Sequence, residues 1–147
     1  MDLSIVREQL LTMGERIGMQ VQEEDAQKLV MHCQLQAKEY FDNAIYLRLV
    51  VFATGTMHLF LTFDELEKTY DNLFLVNTLN SESPWFRAYI TNINDKDYLE
   101  LHYCGITIEK EDSVANIVGY LLNELLSEAT FKYLSPILKG NKEGIPA

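Results

Sequence analysis

Three histidines (His32, His58 and His102), two cysteines (Cys33 and Cys104) and Glu100 are among the few side chains in this sequence equipped for chemistry. His58 lies in the run Met57-His58-Leu59-Phe60-Leu61, and Glu100 and His102 lie in Leu99-Glu100-Leu101-His102-Tyr103. Side chains alternate in both runs, which places all three on one side of half-buried strands, and His32 falls on the same side of a third run. Convergent imidazoles with Glu100 as a fourth donor would suit a tetrahedral metal ion. The histidines stand on separate strands, however, and no HxH or HExxH spacing links them. The expectation is three partly buried hydrogen-bonding groups and no metal. Arg87 and Glu100 are placed to meet across a hairpin, directly or diagonally. Arg87 is then either an anchor for an anion or partner, or half of an exposed ion pair worth under about 1 kcal/mol.

Catalysis finds little support. Asp64-Glu65 and Asp95 with Asp97 bring carboxylates close together, but cap and turn chemistry accounts for both. No nucleophile elbow, phosphate-binding loop or zincin motif occurs, and the seven glycines form no GxGxxG. The sequence predicts a protein that is not an enzyme, with no catalytic residues and no cofactor. A small enzyme or ligand-binding domain ranks last, and its signature would be a pocket joining Arg87, Glu100 and His102. Trp85, the single tryptophan, follows Pro84 and reads as a packing anchor. Cys33 and Cys104 form no CxxC and read as small buried thiols of a reducing cytoplasm.

A scaffold of ordinary size must position these groups. The 147 residues fit one domain, expected over 1–138 with a flexible tail at 139–147, and 48% of them are hydrophobic. Asp and Glu number 22 against 12 Lys and Arg, a net charge of -10. That sign repels phosphate backbones, so no nucleic-acid partner is expected. No apolar run approaches the roughly 18 residues of a membrane span, and the first residues lack a signal-peptide pattern, which together predict a cytoplasmic location.

Leu3, Val6, Leu10, Met13 and Ile17 recur at helical steps, with Asp2 or Ser4 as cap and Gly18 as terminator. A short strand at Met19–Gln22 is optional. Alternation then marks strands at 29–38 and 45–53, and a three-residue turn at Thr54-Gly55-Thr56 leads into Met57–Leu61. This turn is expected to pair Val51 with Leu59 and Leu49 with Leu61. Thr62-Phe63-Asp64-Glu65 matches a capping box, opening a helix that carries Leu66, Tyr70, Leu73 and Val76. A hairpin over 86–103 turns within Asn92–Asp97, and Ile106 and Ile108 continue it past a bulge at Gly105. Asp112 or Ser113 caps a last helix from Val114 to Ala129, ended by Pro136. The fold class is α+β, in the order α-β-β-β-α-β-β-α, with about five largely antiparallel strands and helices against one face.

The second face of that sheet is informative. It collects Tyr46, Val50, Phe52, Phe60, Trp85, Tyr89 and Tyr98 with Arg48 and Arg87, a composition typical of interface centres rather than of wetted surface. Either another subunit or protein ligand packs there, or one of the chain's own helices covers it. The expected interaction face is Tyr46, Phe52, Phe60, Trp85, Arg87, Tyr89 and Tyr98, with a homodimer as its leading use.

With this order of elements the chain resembles the YbjN-like proteins, a family of candidate bacterial sensory transduction regulators that share the fold of type III secretion chaperones. The likeness covers nearly the whole chain. Its most specific points are the helix end at Leu79-Asn80, the strand start Pro84-Trp85-Phe86-Arg87-Ala88-Tyr89, and Leu99-Glu100-Leu101 after an Asp-containing turn. The resemblance implies a non-enzymatic, often dimeric, cytoplasmic bacterial protein that acts through protein contacts, and it supplies no catalytic residues. By analogy with secretion chaperones, which are acidic dimers, the alternative is a chaperone holding an extended segment of a client protein.

Overall fold

A computed structural model describes residues 1–83, 86–107 and 110–140, without the side chains of 106 and 107. Among these, helices form at α1 (Leu3–Met13), α2 (Tyr70–Glu82), α3 (Glu111–Leu125) and α4 (Glu128–Leu134). Strands form at β1 (Gln20–Glu24), β2 (Lys28–Leu35), β3 (Ile45–Phe52), β4 (Thr56–Glu65), β5 (Arg87–Ile93) and β6 (Lys96–Thr107). The strands make one antiparallel sheet in the order β1-β2-β3-β4-β6-β5. The expected α+β architecture is therefore present, with six strands rather than about five because the optional segment near Gln20 forms an edge strand. Pro84, Trp85, Ile108 and residues 141–147 of the expected tail lie outside the described residues.

Alternation decides which side of each strand is core. Leu29 and Met31 of β2, Leu47 and Leu49 of β3, Leu59 and Leu61 of β4, and Leu99 and Leu101 of β6 are almost fully buried on one side of the sheet. Against them lie Val6 and Leu10 of α1, Val114 and Val118 of α3, and Phe131 and Leu134 of α4, all in one apolar cluster. Val76 and Leu79 of α2 join the same cluster beside Ala88 of β5. Burying each such side chain stabilises the fold by roughly 1.5–3 kcal/mol. Phe131 stacks on Tyr40 and Phe41 and meets Phe63 edge-on, so α4 is tied to the loop before β3 and to the end of β4.

Several local expectations are corrected. The Thr62–Glu65 capping box does not open a helix: these residues continue β4, and Glu65 pairs with Tyr98 of β6. The cap of α2 is Thr69, whose hydroxyl accepts from the Asn72 amide at 3.2 Å. The β3–β4 turn has three loop residues, Ala53-Thr54-Gly55 rather than Thr54-Gly55-Thr56. The register pairs Val51 with Met57 and Leu49 with Leu59, two residues from that expected, so the faces are kept. Gly55, at φ 97°, supplies the left-handed residue in this turn. Gly18 adopts the left-handed conformation as expected, but it closes a 3-10 turn at Glu15–Ile17, because α1 already ends at Gly14. A Cβ at Gly14 would meet the Met19 Cβ at 2.6 Å, so that approach requires glycine. The last helix is two: α3 starts from Lys110 without a side-chain cap and breaks near Leu126 before α4 begins. Cys33 is buried, whereas Cys104 is exposed, contrary to its reading as a buried thiol.

The edge strand β5 is fastened by α2. The Asn80 side chain donates to the Ala88 carbonyl at 2.8 Å and accepts from the Ala88 amide at 2.6 Å, acting as a one-residue strand neighbour. At the other edge β1 is exposed along its length and carries a bulge between Val21 and Glu23. Near the described C-terminus the Gly140 amide donates to Asp64 and its carbonyl accepts from the Asp42 amide, both at 2.9 Å. No helix among the described residues is long and apolar enough to cross a membrane.

Candidate functional site

Because the helices bury their apolar sides on one face, the opposite face of the sheet is left to the strands. Antiparallel register arranges it in rows. One row reads Tyr46, Thr62, Glu100, Tyr89 across β3, β4, β6 and β5. The next reads His32, Arg48, Phe60, His102, Arg87, starting from β2. A third reads Val30, Val50, His58, Cys104. Two hollows of about 400 Å³ and about 410 Å³ open on this face, and strand and loop residues alone line them. Arg48, Val50, Phe52 and Phe60 belong to the first, and Tyr46, Thr62 and Tyr98 to the second.

The rings form a connected chain. Phe60 stacks on His102 with centroids 4.3 Å apart and planes 6° from parallel, and the Arg48 guanidinium lies 4.6 Å from the Phe60 centroid. Such a cation over an aromatic face contributes about 0.5–1 kcal/mol where exposed. Phe52 meets His58 edge-on at 5.8 Å, and Tyr89 meets His102 edge-on at 6.4 Å. His58 Nδ1 and His102 Nε2 are 3.0 Å apart, with ring centroids at 5.2 Å and planes within 16°. That combination describes two imidazoles meeting end to end through a shared proton. Burial, followed by the neighbouring His58, holds His102 below the ordinary imidazole range.

Glu100 is buried at the centre of its row, 7% exposed, where a carboxylate needs partners. It accepts from the Thr62 hydroxyl at 2.9 Å and from the Tyr89 phenol in a short bond. Burial, then the bond to Glu100, raises the Tyr89 phenol above its ordinary range, so it stays a donor.

Of the residues expected to form an interaction face, Tyr46, Phe52, Phe60, Tyr89 and Tyr98 do share this face, and Trp85 lies outside the described residues. Arg87 stands exposed opposite His102, and its guanidinium donates to the Phe86 carbonyl at 3.2 Å. The expected Arg87–Glu100 pair is not formed: Glu100 lies opposite Tyr89, and hydroxyl donors hold it. The three histidines do not converge either, since His32 bonds the Tyr46 hydroxyl at 2.9 Å, away from the His58–His102 pair. The group that does approach the pair is Cys104, whose Sγ lies 3.9 Å from His58 Nε2. The spacing His102-Tyr103-Cys104, two strand residues on one face, was the sequence signal for it.

No family model matches this chain, and no curated protein matches it in sequence. Among solved structures, it is similar to that of YbjN, a candidate transcription regulator from E. coli. The match has a TM-score of 0.55 at 13% identity and covers 92% of this chain and 93% of that one. At that identity the likeness is one of fold: the chain has the α+β fold of YbjN, as its resemblance to YbjN-like proteins implied.

Proposed function

We propose that this protein is a non-enzymatic interaction module of a regulatory kind, working in the cytoplasm as a homodimer that pairs through the open face of the sheet. The carrying observation is the connected strip of Phe52, His58, Phe60, His102 and Tyr89 on the side the helices leave uncovered. Six strands spaced about 4.8 Å apart, each contributing about eight residues at about 3.3 Å, give a face of ~750 Å². Standard interfaces bury about 800 Å² on each partner, so one such face against another is of sufficient size. Aromatic rings beside Arg48 also match the make-up of interface centres. The fold shared with YbjN supports a regulatory role, and two free cysteines fit a reducing compartment.

Sedimentation equilibrium of the wild type against Phe60→Glu tests the dimer, with circular dichroism as a check on folding. A dimer that dissociates in the variant is expected. Association should also strengthen with salt, because a net charge of -10 on each chain opposes it. A wild type that stays monomeric at high concentration refutes the reading.

A second reading has its own observation. Arg48 and Arg87 are exposed on this face of an otherwise acidic chain, and the hollows lie along it. These features suit an extended acidic client segment, as a secretion-type chaperone would hold. Binding of acidic extended peptides by a monomeric wild type, lost with Arg48→Glu, would favour it over the dimer.

A further inference from the structure

We propose that His58, His102 and Cys104 form a binding site for a divalent transition-metal ion of the zinc class. The backbone brings them together. His58 and Cys104 are directly opposed in the β4–β6 ladder, and His102 is two residues before Cys104 on the same face. Gly105, at φ 104°, carries the bulge that immediately follows, so the register changes only beyond the cluster. One candidate ligand atom from each residue lies within 4.8 Å of the other two. Around a tetrahedral ion, bond lengths of about 2.0–2.1 Å to nitrogen and about 2.3 Å to sulfur put ligand atoms ~3.3–3.6 Å apart. Closing the cluster therefore needs side-chain shifts of about an ångström, and the exposed Cys104 can rotate to supply most of that.

The donor set fits the ion. Two imidazoles and a thiolate are the ligands that select zinc-like ions over magnesium or calcium. His58 lies between the other two, with Nδ1 facing His102 and Nε2 facing Cys104, so either nitrogen can become the ligand. The stack on Phe60 fixes the His102 ring plane while leaving its in-plane nitrogens available. The local charges oppose one another, since Arg48 lies over Phe60 while the buried Glu100 supplies a negative charge nearby. Binding replaces the hydrogen bond between the imidazoles: each ligates in its neutral form and keeps its proton on the ring nitrogen that does not face the ion, while Cys104 gives up its thiol proton to solvent. Cys33 is a poor competitor, because burial pushes its thiol up to about 11.

The test is titration of the full-length reduced protein with Co²⁺, a zinc surrogate whose spectrum reports its ligands. The wild type should develop a thiolate-to-cobalt charge-transfer band and the intense visible bands of four-coordinate cobalt, saturating at one equivalent, with Zn²⁺ displacing it. Cys104→Ser should abolish the charge-transfer band, and His58→Ala and His102→Ala should each weaken binding by roughly 100-fold or more. Cys33→Ser should leave the spectrum unchanged. Absence of the band in the folded wild type, its survival in Cys104→Ser, or its loss in Cys33→Ser would each overturn the assignment. All three ligands come from one chain, so a monomeric wild type, which would refute the dimer reading, leaves these readouts intact.

Discussion

Removing the Tyr89 hydroxyl takes away one of the two hydroxyl donors of Glu100, the one buried carboxylate of the open face among the described residues. Glu100 has two side-chain donors, Thr62 and Tyr89, and almost no exposure. A hydrogen bond to a charged group contributes about 1.5–3 kcal/mol, and the half-exposed position of Tyr89 argues for the middle of that range. Tyr89→Phe keeps the ring and its edge contact with His102, so a loss of about 2 kcal/mol is expected. For a chain of this length that lowers Tm by about 6 °C. Urea unfolding of four proteins, with Glu100→Gln as the second mutation, gives the coupling. In the Glu100→Gln background the same tyrosine change should cost only about 1 kcal/mol, because the acceptor is neutral. An alkaline arm adds a sign. The folded state keeps the Tyr89 proton that the unfolded chain gives up near pH 10, so this contribution is complete below about pH 10. It is lost as pH rises through the higher folded value, and Tyr89→Phe should decline less steeply there. Equal losses in both backgrounds, or a variant within about 0.5 kcal/mol of wild type, would refute the account.

Three further outcomes are expected. Phe131→Ala removes the ring that joins Tyr40, Phe41 and Phe63, and should cost about 3–5 kcal/mol by urea unfolding. Gly105→Ala meets no neighbouring atom among the described residues, so its expected cost of about 1–3 kcal/mol comes from backbone strain, and nuclear magnetic resonance should show shifts centred on His58 and Cys104. Asn80→Ala orphans both polar groups of Ala88. It should destabilise by about 1–3 kcal/mol, with hydrogen exchange accelerated in β5 more than in β3.

What could be read in advance was whatever repeats locally. Alternation in 45–52 and 99–103 marked the two sides of the sheet, and the stripe Val114, Val118, Leu121, Leu125 marked the helix that covers one of them. The errors came where a distant partner decides. Thr62-Phe63-Asp64-Glu65 reads as a cap in isolation, yet Thr62 faces Glu100 and Glu65 faces Tyr98 across the sheet, and that pairing keeps the segment extended. Thr69 was an equally plain cap seven residues later. The pairing of His58 with Cys104 depends on the β4–β6 register, which no local pattern specifies. Parity alone would still have put Cys104 on the His102 side of its strand. Arg87 and Glu100 are diagonal neighbours in the β5–β6 register, but hydroxyl donors reach the carboxylate first.

The margins of the sheet carry a consequence for how anything can attach to it. Along β5 the amide of Asn80 already occupies Ala88, and along β1 the strand is five residues long, kinked, and flanked by the ion pairs Arg7–Glu24 and Lys28–Glu23. A visiting chain therefore meets an obstacle on each rim, at Ala88 along β5 and at the bulge along β1, before it can lengthen the sheet into a continuous ribbon. Whatever docks must arrive broadside and lie across the strands, and a protein built this way can present a sticky surface without seeding fibres.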